Sequence, residues 1–322
     1  MFRRVLATLF LAAIAMVAGT ASAVELPGPL VTAVWLQQHR AEVNIIDVRE
    51  DVASFTKAPK FATDGGKKSL AAFGGHIPGA LLLDFAKVRT TRTVDGRELQ
   101  WMLPDRATFQ ALMRATGVQA GRPTVIVSDG AGGGDLDMAA RVYWSMKVYG
   151  DTRLAILNGG TTAWLEAGYP VSTVAASPGG GNWTAGPGNR KLFADSNDVA
   201  KAVAAGKQLV DARPLPFYLG FERKAVVLAS GHIGGAVNFP PDVRSNKVDG
   251  SVRFLTAPQY AAVFGHLDIN PHKATITYCN TGHLASGAWF VLSEIMKNPD
   301  VAVYDGSMYE WTTEKRPVVG LP

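Results

Sequence analysis

The sequence predicts an α/β protein of two tandem domains, each a parallel sheet flanked by helices. Three observations lead there: four segments recur in the same order, each copy alternates strand and helix patterns, and a Gly/Pro-rich stretch separates the copies. NIIDVRE (Asn44 to Glu50) returns as QLVDARP (Gln208 to Pro214), and GGHIPGALLLDF (Gly74 to Phe85) as SGHIGGAVNFP (Ser230 to Pro240). TVIVSDGAGGG (Thr124 to Gly134) matches TITYCNTGHLA (Thr275 to Ala285), and LAILNGGTTAW (Leu154 to Trp164) matches VAVYDGSMYEW (Val301 to Trp311). The offset of roughly 150–165 residues gives each unit enough chain for its own core, unlike the units of a solenoid.

Asn44–Val48 and Gln208–Ala212 are short apolar runs ending in Asp-x-Arg, while Thr124–Val127 and Thr275–Tyr278 have the near-continuous apolarity of buried parallel strands. The Thr275 run leads into a helical pattern whose apolar side is Leu284, Trp289, Phe290, Leu292, Ile295 and Met296. Pro104-Asp105 and Ala257-Pro258 open two further helices, with proline suited to the first turn. SPGGGNWTAGPGN (Ser177 to Asn189) has no periodicity and reads as the linker. The expected layout is a signal peptide over 1–23, a first domain over 24–176, a linker over 177–190 and a second domain over 191–322.

The amino terminus has Arg3 and Arg4, an apolar run from Val5 to about Gly19, and Ala21-Ser22-Ala23, the layout of a cleaved secretory signal. The run is short for a span of about 20 residues. The mature chain is therefore expected to be exported, to the periplasm in a bacterium, and free of the membrane. A chain that is 47% hydrophobic and 18% charged is globular, and its net charge of +5 is spread without a Lys/Arg block. That distribution hints at anionic ligands and gives no support for a nucleic-acid partner. No Cys/His cluster has the spacing of a metal site.

Cys279 is the only cysteine, so it cannot form an internal disulfide. It follows a strand and precedes Asn280-Thr281-Gly282-His283 and a helix. Ligands of parallel sheets bind beyond the carboxyl ends of strands. A tight loop there can aim successive peptide N–H groups inward, and the helix amino terminus adds positive potential. Gly282 lets the backbone turn. The arrangement favours a thiolate facing an anion-stabilising pocket.

These elements, above all SGHIGGAVNFP, the Cys279 loop and YDGSMYEW, resemble the tandem rhodanese-domain sulfurtransferases, the thiosulfate and 3-mercaptopyruvate sulfurtransferase family, over nearly the whole mature chain. The resemblance implies that the second domain is catalytic and the first has lost its cysteine, as Asp129 stands where Cys279 stands in the second copy. It implies a double displacement: Cys279 takes a sulfane sulfur from a small donor as a persulfide, held by the N–H groups of Asn280, Thr281, Gly282, His283 and Leu284. The sulfur then passes to cyanide or a thiol. No other cofactor is implied, and the physiological acceptor, a protein included, is left open. Two departures bear on the donor. His283 is the only residue of the loop able to be cationic, and Phe217 of Phe217-Tyr218-Leu219-Gly220 replaces the family's usual arginine, so thiosulfate is expected to be held weakly. Arg223 and Lys224, from the same loop, are the candidate substitutes, and Arg213 is a separate substrate-binding candidate facing the site between the domains.

Other chemistries fit less well. A phosphatase loop needs Cys-x5-Arg, and Ala285 holds that position. DGAGGGD (Asp129 to Asp135) misses the G-x-G-x-x-G spacing of a dinucleotide loop and places two acids beside it. His76 and His232, duplicated where only one copy has a cysteine, read as structural, and Trp164 and Trp311 as core. Asp47 and Asp211 are expected to pair with backbone or with Arg49 and Arg213. A non-enzymatic reading, a periplasmic persulfide carrier or binding module, keeps the thiol but predicts little turnover of small donors.

Overall fold

The computed structural model describes residues 24–65, 67–175 and 177–321; the expected signal peptide lies outside the described residues. The two copies build two five-stranded parallel sheets of the same topology. In the first, β1 (Leu30–Val31), β2 (Asn44–Arg49), β3 (Leu81–Asp84), β4 (Thr124–Val127) and β5 (Leu154–Leu157) lie in the order β1-β5-β4-β2-β3. In the second, β6 (Phe193–Ala194), β7 (Gln208–Asp211), β8 (Ala236–Asn238), β9 (Thr275–Tyr278) and β10 (Val301–Tyr304) lie in the order β6-β10-β9-β7-β8. In each sheet the chain leaves its second strand for one edge, then returns to that strand's other side. The crevice where strand order reverses is therefore between β7 and β9 in the second domain. Strand period 2 sorts the side chains into layers. Ile46, Val48, Ile126, Val210 and Cys279 join one apolar cluster shared by both domains, while Ile45, Val125 and Val127 pack an outer layer of the first domain and Leu209 and Tyr278 one of the second. Cys279 thus faces the seam between the domains.

The seam is centred on α1 (Gly133–Val148) of the first domain and α2 (His283–Phe290) of the second. Gly287 on α2 faces Asp137 on α1 so closely that a Cβ there would overlap the carboxylate. Buried charges cross the seam: Asp137 pairs with Arg244 at 3.1 Å and Arg141 with Asp305 at 2.5 Å. Beyond Phe290 the backbone widens to i→i+5 bonding over Val291–Ile295, so the expected long helix is an α-helix of 8 residues followed by a π turn.

The helix starts follow their caps. Asp105 accepts from Thr108 N at 2.9 Å and caps Arg106–Thr116, leaving Pro104 outside the helix, whereas Pro258 does sit in the first turn of Ala257–His266. The Gly/Pro-rich linker is strapped down. Its Gly181 N–H donates to Arg114 O, and those of Asn182 and Trp183 donate to Val118 O. Trp183 is buried.

Candidate active site

Cys279 follows β9 and is 1% exposed. Its loop is held from below by Ser307, whose Oγ accepts from Cys279 N at 3.0 Å and Gly282 N at 3.1 Å while donating to Tyr304 O at 2.8 Å. Gly282 has φ +78°, and a Cβ there would lie 2.6 Å from both Arg141 Nη1 and Asp305 Oδ1, so glycine is required twice over. Arg141, from the first domain, donates to Gly282 O at 3.2 Å. The thiol loop is thus braced across the seam.

With Ser307 occupying the N–H groups of Cys279 and Gly282, those of Asn280 and Thr281 have no acceptor among the described residues. His283 and Leu284 open α2, where first-turn N–H groups have no intrahelical acceptor. Of the five loop N–H groups expected to hold a persulfide, four are therefore free for it.

Cys279, Asn280, Thr281, His283 and Leu284 line a cavity of about 490 Å³ together with Lys224, Ala225 and Val226, and with Glu50, Arg89 and Trp101 of the other domain. The structure thus gathers the loop and Lys224 but not every expected residue. Arg213 is buried and spent on Asp211, at 2.5 Å, and on Gly231 O, at 2.8 Å, repeating the first domain's Arg49–Asp47 pair and Arg49–Gly75 bond. Arg223 donates to Val227 O at 2.7 Å, away from the cavity lining. Phe217 does not line the cavity either, so its replacement of an arginine does not by itself empty the site of charge. His283 is not the loop's cation: burial first, then Arg89 and Arg141, lower its pKa to about 3, leaving a neutral ring 4.8 Å from that of Phe85.

The cation is Arg89, a residue the sequence reading missed. It lies 4.5 Å over the Phe85 ring and donates no hydrogen bond to a described residue, and its Nε is shut off from solvent without a partner. Burial, then Arg141, lower its pKa to about 10, which leaves it cationic at neutral pH. A signal was present in the duplication. Val88-Arg89 recurs as Val243-Arg244, just before the hairpin of each domain. Arg244 is engaged through both terminal nitrogens, donating to Leu284 O at 2.6 Å and to Asp137 at 3.1 Å. Of two equivalent arginines one clamps the seam, and the other is free in the cavity.

In the first domain Asp129 occupies the thiol's position, 3.6 Å from Arg49. Burial pushes its carboxyl up to about 7 against the pull of Arg49. Val252 N, from the second domain's hairpin, donates to Gly130 O at 2.8 Å and covers this loop. His76 and His232 stack on Phe55 and Tyr218 at 3.7 and 3.8 Å, in matching structural roles. Trp164 and Trp311 are buried.

Fold and site together define a class: duplicated parallel-sheet proteins with a thiol, in one copy, on a strand-to-helix loop whose peptide N–H groups are largely unspent. The chain belongs to the rhodanese family, since a rhodanese-like domain is matched twice, over residues 32–167 and 195–314. It is 33% identical over 244 residues to the thiosulfate sulfurtransferase of Bos taurus, covering 73% of this chain and 77% of that one. It is 27% identical over 309 residues to the sulfur carrier protein TtuD of Thermus thermophilus, covering 92% and 96%. Among solved structures, SseA of Escherichia coli, described under the 3-mercaptopyruvate sulfotransferases, superposes with a TM-score of 0.68 at 26% identity over 87% of this chain and 98% of its own.

Proposed function

We propose that the protein moves a sulfane sulfur from a small anionic donor, thiosulfate or 3-mercaptopyruvate, to a thiophilic acceptor, cyanide or a thiol, through a persulfide on Cys279. The observation that carries this reading is the cavity, where the single thiol meets free peptide N–H groups and two cations, Arg89 and Lys224, that no carboxylate among the described residues neutralises by direct pairing. With thiosulfate, the Cys279 thiolate attacks the outer sulfur, the donor S–S bond breaks and sulfite leaves with the bonding pair. The terminal persulfide sulfur then carries the negative charge, toward the N–H groups of Asn280, Thr281, His283 and Leu284. Attack of the acceptor on that sulfur returns the Cys279 thiolate. Activation comes from oriented dipoles and fixed charges rather than from a base, since His283 is uncharged and held at low basicity. The amino-terminal pattern supports export, with this chemistry performed in the periplasm.

Intact-protein mass spectrometry after exposure to each donor tests the reading. One added sulfur atom is expected on the wild type and none on Cys279→Ser; a sulfur retained by Cys279→Ser refutes the mechanism. A second reading, a persulfide carrier, is favoured by the similarity to TtuD. It predicts the same added sulfur with negligible turnover to cyanide or small thiols.

A further inference from the structure

Glu50 is where the duplicated strand motifs part company: NIIDVRE ends in Glu50, and QLVDARP has Pro214 there. Glu50 directly follows β2 in the domain without a cysteine, yet it lines the same cavity as Cys279, Arg89 and Lys224. Its carboxylate acts on Arg89, and on Asp135 at the start of α1. No ion pair ties it to a lysine or arginine among the described residues, so its charge is not spent on one contact. Asp305, the other carboxylate acting on Arg89, is already paired with Arg141. With His283 neutral and Cys279 a thiolate, as the proposed chemistry requires, the lining carries the cations Arg89 and Lys224 against Cys279 and Glu50, so Glu50 takes the net charge from +1 to zero.

Resting on the sulfurtransferase reading for its substrates, we infer that Glu50 tunes the charge preference of the donor site, shifting donor choice away from the dianion thiosulfate and toward a monoanion such as 3-mercaptopyruvate. Both donors feel the carboxylate, and the dianion feels it twice. One additional negative charge about 8 Å from a carboxylate at a solvent-open rim is disfavoured about two- to thirtyfold. The monoanion's chemistry closes without a further reactant. The Cys279 thiolate takes the donor sulfur, the C–S bond breaks with its electron pair going to carbon, and the donor's thiol proton ends on that carbon, giving pyruvate.

Steady-state kinetics with both donors on the wild type, Glu50→Gln and Glu50→Asp test the inference. Glu50→Gln should raise kcat/KM for thiosulfate relative to 3-mercaptopyruvate by about two- to thirtyfold, through KM and less so at high salt, while Glu50→Asp keeps the wild-type ratio. An unchanged ratio, or a change in kcat alone, overturns it. A second measurement needs no turnover: protection of Cys279 from iodoacetamide by sulfate and by pyruvate. Glu50→Gln should strengthen protection by sulfate more than by pyruvate, and equal changes overturn the charge role. A wild type that transfers no sulfur but shows this protection shift removes the sulfurtransferase reading and leaves the role of Glu50 standing. Sulfur transfer with an unaltered donor ratio does the reverse.

Discussion

Arg89 and Arg244 occupy the same place in the two repeats, and the same substitution should have opposite consequences at each. Arg89→Gln removes a guanidinium that hydrogen-bonds no described residue and stacks on Phe85. Its loss should leave the fold nearly as stable and cost the donor one charge-assisted contact, about 1.5–3 kcal/mol, or about ten- to a hundredfold in KM. The anionic end of the donor changes little during sulfur transfer, so kcat should move less. Arg244→Gln instead leaves Asp137 in the seam without its cation and Leu284 O without its donor. Burial already pushes Asp137 up to about 7 against the pull of Arg244, and breaking a buried pair from one side costs about 3–5 kcal/mol. Thermal melts and donor kinetics on both variants decide the matter. Arg89→Gln with an unchanged donor KM, or with a fall in Tm as large as that of Arg244→Gln, refutes the assignment of the free cation.

Two further outcomes follow from the loop. Ser307→Ala should lower Tm and slow persulfide formation, because two buried N–H groups lose their acceptor at about 1–3 kcal/mol each; a full-rate enzyme would show that the loop needs no such brace. His283 is neutral when folded, so between about pH 6.5 and 3 the unfolded chain binds a proton there that the folded chain excludes, and stability falls as pH drops through that window. His283→Asn should therefore lose less Tm than the wild type between pH 7.5 and pH 5, and equal losses in calorimetry would place a charged histidine in the fold.

Much of the architecture was legible because duplication shows the same physical solution twice. The central strands Thr124–Val127 and Thr275–Tyr278 begin and end where the sequence pattern places them, since parallel strands buried on both faces admit few polar groups, and the buried Thr277 hydroxyl is satisfied by donating to Ala285 O. The helix after Cys279 was legible at its start, where the loop dictates it, and not at its end. The widening over Val291–Ile295 leaves the apolar pattern unbroken and so no trace in periodicity. The cysteine loop was legible from local sequence, whereas its charge was not. Arg213 carries the same guanidinium as Arg89, but Asp211, two residues away in the chain, and Gly231 O absorb it. Which of several arginines stays unpaired is a property of the seam, and the seam joins residues 141 and 305 or 137 and 244. His283 misled for the same reason. Its low basicity comes from burial and from arginines contributed by both domains.

The domain without a cysteine supplies Arg89, Glu50 and Trp101 to the wall facing Cys279. Genetic drift is therefore not free in the silent copy. A change at Arg89 should read as an enzyme defect though it sits far along the chain from the nucleophile, and a change at Arg244, inside the cysteine-bearing copy, as a folding defect. Variation among natural versions of this chain should then be constrained by distance from the seam rather than by which half a residue belongs to. Recombination that exchanges one half for that of a distant relative should disturb donor choice even when every residue of the cysteine loop is preserved.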